Sequence, residues 1–316
     1  MTITQLHYLI AVAEHQNFTV AAEKSFVTQP TLSMQIAKLE EELNVKLFDR
    51  GTKPIKLTAV GEKIVEQARR VVIEAERIKD IVSVEKGFIG GPYNLGIIPT
   101  VMPTLLPMFL ATFIKKYPKV KLIIKEMTTE EIAVQLREGK LDGAIAATPL
   151  GFDDIIERPL YYEPFVAYIP EDHRLNAQTN LKSEDLRLDE VLLLEDGHCF
   201  RDGVINLCGA PKQLDPSEFR IESGSFETLI KLSDENMGMT LLPYLHTLQL
   251  KEVQEKRLKH FEKPEPAREI SLIYHKSELK LQITTALKEV ISSVIRGAIS
   301  FHDVEIISPK QRSGQV

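Results

Sequence analysis

The feature that most constrains this chain is a long one-sided apolar stripe in its first third. Val60, Ile64, Ala68, Val71, Ala75, Ile78 and Val82 recur in steps of three and four, with Glu66, Arg69, Arg70, Glu74, Glu76 and Arg77 between them. The average step is close to the 3.5-residue repeat of paired helices. Thr58 and Glu62 frame the start of this helix, Gly87 ends it, and Gly90-Gly91-Pro92 breaks the chain just beyond. Such a helix has little of its own domain to lie on, so we expect it to dimerise through Ile64, Val71 and Ile78. It divides the 316 residues into an N-terminal domain at 1–58, a linker at 59–87, a larger domain at 88–302 and a loose polar tail at 303–316. That length already argues for more than one domain.

Residues 1–58 read as short helices. Leu6, Leu9, Ile10 and Ala13 share a helical face, and Ala21, Ala22 and Phe26 share another after the polar stop at Asn17. Thr28 is placed to cap a third helix, with Pro30 in the first turn, where its missing N–H costs nothing. Leu32, Ile36, Leu39 and Leu43 form the buried stripe of that helix. Two short helices joined by a few residues make a helix-turn-helix pattern. Its second helix begins with Gln29, Pro30, Thr31, Ser33 and Gln35, polar or small groups that can reach base edges. Arg50 to Leu57 reads as a basic hairpin, a wing offering Arg50, Lys53 and Lys56 to phosphates. Charge alone does not argue for nucleic acid. Residues 1–58 carry six basic and six acidic side chains, and the whole chain has a net charge of −6.

Beyond the linker, short apolar runs alternate with amphipathic helices, an α/β signature. Strands are expected at Tyr93–Ile98, Val120–Ile124, Leu141–Ala146, Phe165–Ile169, Val191–Leu194 and Met239–Leu242, with another apolar run at Phe226–Leu232. A late returning strand follows at Ala267–His275, then a helix over Leu279–Ile295. Thr128 and Glu131 are spaced as a capping box. No apolar run is long enough to span a membrane. The start MTITQLHYLI lacks a secretory pattern, so a cytoplasmic setting is expected.

The chain has two cysteines, Cys199 and Cys208, both in Gly197-His198-Cys199-Phe200-Arg201-Asp202 … Cys208. Most cytosolic cysteines are inert and buried. Here the flanking His198 and Arg201 are of the sign that stabilises a thiolate, and Leu192–Leu194 place Cys199 at the end of an expected strand, where ligands collect in α/β folds. A zinc site is the weaker reading, because His198, Cys199 and Cys208 supply at most three ligands and no CxxC pair.

The order of residues is more specific than any of these patterns. Phe18-Thr19-Val20-Ala21-Ala22-Glu23, Thr28-Gln29-Pro30-Thr31-Leu32-Ser33-Met34-Gln35-Ile36, Leu39-Glu40, Leu43, Leu47-Phe48-Asp49-Arg50, Leu57-Thr58 and Gly61 closely resemble the LysR-type transcriptional regulators. The resemblance implies an all-α-type winged helix-turn-helix, a linker helix and a two-lobed α/β regulatory domain like a periplasmic binding protein. It further implies a homodimer or homotetramer on promoter DNA. His198-Cys199-x-Arg201-Asp202 with Cys208 resembles the hydrogen-peroxide-sensing branch of that family. This implies that Cys199 is the peroxidatic thiol and Cys208 the one that resolves it into a disulfide. It also implies a peroxide pocket formed with Thr100, Thr129, His198, Arg201 and Asp202. Ala267-Arg268 belongs to the same resemblance, with no role assigned to the arginine. Both threonines also sit where helix caps sit, a reading compatible with the first.

The expected partners are therefore double-stranded promoter DNA, hydrogen peroxide, a second copy of the chain, RNA polymerase and cellular thiol reductants, with no cofactor, no metal and no membrane. Two rivals stay open: a regulator of this family answering to a small metabolite, and a thiol peroxidase.

Overall fold

The structure is a computed structural model, and it describes residues 1–85, 89–209, 223–299 and 304–309. The expected linker end at Gly87 and most of the expected tail lie outside the described residues.

The chain divides into two compact units. The first begins with three helices, α1 (Ile3–His15), α2 (Phe18–Lys24) and α3 (Gln29–Leu43). Each start has a chemical cause. Thr2 and Gln5 form a capping box on α1, and Asn17 accepts the N–H groups of Thr19 and Val20 at α2. Thr28 accepts the N–H of Thr31 at α3, with Pro30 in the first turn. Leu6, Leu9, Val12, Ala21, Ala22, Leu32, Ile36 and Leu39 meet in one core. Strands β1 (Phe48–Asp49) and β2 (Lys56–Leu57) pair antiparallel as the expected wing.

Helix α4 (Ala59–Glu85) is the linker, 27 residues long, or ~40 Å at 1.5 Å per residue. It does lie on its own domain. Val65, Ala68 and Val72 are buried against the three-helix core, and Arg69 pairs with Glu14 of α1 at 2.6 Å. This corrects the expectation of a free helix, and it moves Ala68 from the seam to the domain core. The adjoining face is different. Val60, Ile78 and Val82 are exposed, Ile78 at 66%, while Ile64 and Val71 are half-buried at its edge.

The second unit holds the α/β domain. In its first lobe, β3 (Gly91–Ile97), α5 (Met102–Lys116), β4 (Val120–Glu126), α6 (Thr129–Arg137) and β5 (Gly143–Thr148) form parallel crossovers. Strand β6 (Ile155–Tyr168) then carries the chain into the second lobe, which holds β7 (Asn180–Leu181), α7 (Cys199–Leu207) and α8 (Phe226–Asp234). Next come β8 (Thr240–Pro243), α9 (Tyr244–Thr247), α10 (Glu252–Glu255) and β9 (Leu258–Phe261). Strand β10 (Glu265–His275) returns to the first lobe, followed by α11 (Leu281–Ile295) and β11 (Val304–Ile306).

The sheet runs β4-β3-β5-β10-β6-β9-β7. The far half of β6 pairs with β8 and β9, and the near half with β10. There are accordingly two cores. One gathers Tyr93, Leu95, Phe109, Ile145 and Leu272, the other Phe165, Tyr168, Phe200, Leu229 and Leu241. At ~1.5–3 kcal/mol for each large apolar side chain fully buried, each core is a sizeable share of the folding energy.

Three sequence expectations change here. Val191–Leu194 is not a strand and makes one bridge, from Val191 to Met239. Phe226–Leu232 lies in helix α8. Cys199 is the first residue of a helix, not the end of a strand.

Candidate functional site

The thiol site is built where α7 meets the first-lobe sheet. His198 occupies the N-cap of α7 and Cys199 its first position. Cys199 keeps partial exposure as a residue and packs at the edge of the first-lobe core, whereas Cys208, at the other end of α7, packs against the second-lobe core. Both thiols are free. Nine helical steps separate them by ~13.5 Å along the axis and put them on opposite faces.

Burial pushes the Cys199 thiol above its ordinary value. The Arg268 charge and the Thr129 hydroxyl oppose that rise, Asp202 adds to it, and the Ala147 backbone opposes it. This corrects the expectation that His198 and Arg201 hold the thiolate. Arg201 turns away, donating from Nη1 to the Leu194 carbonyl at 3.1 Å and pairing through Nε with Asp196 at 2.8 Å. His198 is buried, and its Nε2 lies 3.5 Å from Glu195 Oε1. Sequence neighbours at a helix start diverge in direction, so adjacency does not deliver charge to the sulfur.

The cation comes instead from β10. Arg268 is 3% exposed and stands opposite Glu163 in the β6–β10 register. Its Nε and Nη2 donate to Glu163 Oε2 at 3.0 and 2.7 Å. Glu163 Oε1 also accepts the Leu245 N–H at 3.0 Å, so both carboxylate oxygens are used. Arg268 Nη1 donates to Thr100 Oγ1 at 2.8 Å, and Nη2 reaches the Thr100 carbonyl at 3.1 Å. Its guanidinium also stands 5.0 Å from the Phe200 ring centre. An arginine only donates, so Thr100 Oγ1 accepts and its own O–H remains to donate elsewhere.

The two threonines therefore differ from caps. The capping box of α6 belongs to Thr128 and Glu131, in which the Glu131 carboxylate accepts the Thr128 N–H at 2.9 Å. That releases the Thr129 hydroxyl, whose oxygen is buried with no hydrogen-bond partner among the described residues. Its effect falls on the Cys199 sulfur, where it favours the thiolate. A buried hydroxyl left unpaired costs free energy, which makes it a ready donor for a small polar guest. Cys208 has no such company. Burial alone pushes its thiol up to about 11.

Arg268 and Glu163 were missed as a pair in the sequence. The available signal was a charge inside each of two largely apolar strands, Arg268 in Ala267–Ile273, beside Glu269, and Glu163 in Tyr161–Tyr168.

The expected nucleic-acid face is the second candidate site. Gln29, Pro30 and Thr31 are exposed at the start of α3, with Ser33 half-buried and Lys38 exposed one turn on. Gln35 accepts from Gln5 Nε2 at 3.2 Å, which ties it to α1. Lys53 and Lys56 are exposed on the wing. Arg50 is not a free phosphate ligand. It pairs with Glu40 at 3.2 Å and lies 5.0 Å from the Phe18 ring centre. The buried Glu40, a second residue missed in the sequence, also accepts the Leu47 N–H at 2.8 Å and so fastens the wing to α3.

Two family descriptions match the chain. Residues 3–62 match the bacterial regulatory helix-turn-helix proteins of the lysR family, and residues 87–295 match the LysR substrate binding domain. The chain is 38% identical over 274 residues to the DNA-binding transcriptional dual regulator OxyR of Escherichia coli K12, covering 87% of this chain and 89% of that protein. It is 34% identical over 283 residues to the HTH-type transcriptional regulator EstR of Acinetobacter baylyi, covering 87% and 91%. Among solved structures, full-length OxyR from Pseudomonas aeruginosa, a mutant form, is similar with a TM-score of 0.75 and 33% identity over 92% of this chain and 94% of that one. An H2O2-bound OxyR mutant from Corynebacterium glutamicum gives 0.62 and 29% over 94% and 93%. Matched along both its reader and its two-lobed domain, the chain belongs to the LysR family of DNA-binding transcription regulators.

Proposed function

We propose that this regulator senses hydrogen peroxide through Cys199 and carries the signal to promoter DNA through a Cys199–Cys208 disulfide. The observation that supports the reading is the buried Cys199 thiol, whose thiolate form the Arg268 charge and the Thr129 hydroxyl favour, with Arg268 also bonded to Thr100. Peroxide brings two oxygens that both accept hydrogen bonds, and this site offers donors for them. The Cys199 thiolate attacks one oxygen, the O–O bond breaks, and the other oxygen leaves as hydroxide. Donors aimed at the leaving oxygen lower that barrier. Arg268 favours the thiolate in a site where burial disfavours it.

The product, Cys199 sulfenic acid, then condenses with the Cys208 thiol, releasing water and forming the disulfide. A disulfide needs Cα atoms within ~7 Å, so α7 must unwind to close it. Gly203 in the middle of α7 weakens that helix by ~1 kcal/mol relative to alanine. A Cβ there would meet the Phe165 ring at 3.2 Å, so the glycine also serves close packing. Unwinding draws Phe200 out of its place among Phe165, Phe226 and Arg268. Cellular thiol reductants reset the switch, and a homodimer or homotetramer carries the change to promoter DNA and RNA polymerase. The resemblance to OxyR proteins supports this assignment over a metabolite regulator and over a thiol peroxidase.

Intact-mass spectrometry with a sulfenate trap tests it. With stoichiometric peroxide, the wild-type chain loses two hydrogens, linking Cys199 to Cys208. Cys208→Ser stops at trapped sulfenic acid, and Cys199→Ser reacts slowly and without selectivity. Wild-type peroxide consumption by Cys199→Ser would overturn the assignment.

A further inference from the structure

We infer that Phe26 is a base-reading contact, its ring packing on the 5-methyl group of a thymine in the major groove beside the bases that Gln29 faces. The inference rests on DNA reading by α3 and is independent of the thiol chemistry.

Phe26 is 95% exposed, the most exposed large apolar side chain among the described residues. It also has a φ of +54°. A left-handed conformation is unfavourable for a side chain with a Cβ, so this position would suit glycine or asparagine. The turn between α2 and α3 imposes it. The Phe26 N–H donates to the Glu23 carbonyl at 3.1 Å and the Val27 N–H to the Ala22 carbonyl at 3.0 Å. Val27 points into the core, and the chain then enters the Thr28 cap of α3. A strained backbone therefore holds an aromatic ring in solvent two residues before the cap of the reading helix.

The ring does not stand alone. Pro30 is exposed, and Met34 is 49% exposed. Pro30 and Met34 stand four residues apart on α3, so exposed apolar side chains continue from the turn into the helix that carries the polar Gln29, Thr31 and Ser33. In the major groove the thymine methyl is the apolar feature that distinguishes one base pair from another, and phenylalanine is among the side chains that contact it. An apolar edge alongside polar readers fits a surface carrying both kinds of mark.

The test uses the full-length chain under reducing conditions and short duplexes that the wild-type protein selects from a random pool. Phe26→Asn keeps a residue that tolerates positive φ, so its melting temperature should equal or exceed that of wild type. Its affinity for the selected duplex should fall roughly fivefold, about 1 kcal/mol, with little change on random duplex. Replacing thymines by uracil one at a time should find one position that costs wild type the same factor and costs Phe26→Asn nothing. Unchanged affinity, or equal losses on selected and random duplexes, would overturn the inference. So would intact DNA binding with an altered sedimentation coefficient, which would place the ring against a second copy of the chain. Failure of the wild-type chain to enrich any duplex would count against the DNA reader itself, a distinct result.

Discussion

At the thiol, charge and hydrogen bonding have separate sources and separate effects. Thr129 contributes a hydroxyl and Arg268 a positive charge. Thr129→Val removes the donor, so it should slow peroxide attack by roughly tenfold or more while raising the Cys199 pKa less than loss of Arg268 would. Stopped-flow oxidation at several pH values separates the two quantities, and an unchanged rate would remove Thr129 from the pocket. The wild-type rate should climb about tenfold per pH unit through neutrality, because the thiol sits above its ordinary value and the thiolate is the nucleophile. Arg268→Met should behave otherwise. It strips the cation from Cys199 and leaves Glu163 buried without its partner, a loss of about 3–5 kcal/mol. A thermal melt matching wild type would contradict that role.

At the scale of elements, α4 carries two apolar faces with different work. Ile78→Glu places a charge on the exposed face and should weaken self-association with the melting temperature held. Ala68→Glu places one in the domain core and should unfold the reader. Sedimentation and circular dichroism of both variants tell the faces apart, and equal effects would merge them. The start of α11 gives a pH test. Burial and the Asp142 charge raise Glu278 to about 7, from an ordinary 4.5, against the Leu279 and Lys280 N–H groups and the Lys280 charge. The unfolded chain therefore ionises first, and stability falls as pH rises from 4.5 to 7. Glu278→Gln removes this penalty while keeping an acceptor for the Leu279 and Lys280 N–H groups. It should stabilise the protein by about 2 kcal/mol at pH 8 and hardly at all at pH 4. Equal gains at both pH values would reject the titration. Helix starts and stripes were legible in the sequence because their causes are local, as Asn17, Thr28 and the Thr128–Glu131 box illustrate. The charge beside Cys199 was not. Arg268 is brought to Cys199 by strand pairing between β6 and β10, which no local spacing records. The same limit made His198 and Arg201 look like the thiol's partners.

For the whole molecule, the proposed mechanism joins a local oxidation to a change in how DNA is held. In the proposed mechanism, closing the Cys199–Cys208 bond would unravel α7, and Phe200 and its aromatic neighbours would be the first packing to move. A ten-residue loop closure is worth roughly 2.7 kcal/mol in the chain-entropy model, within the usual range of a coupling energy between sites. A coupling of that size shifts an equilibrium between two arrangements about a hundredfold. The most direct measurement is a nuclease footprint of the full-length chain on one promoter duplex, reduced and then treated with stoichiometric peroxide. The protected stretch should change on oxidation, return with dithiothreitol, and stay fixed in Cys199→Ser. An identical footprint in both states, or the same change in Cys199→Ser, would contradict that mechanism.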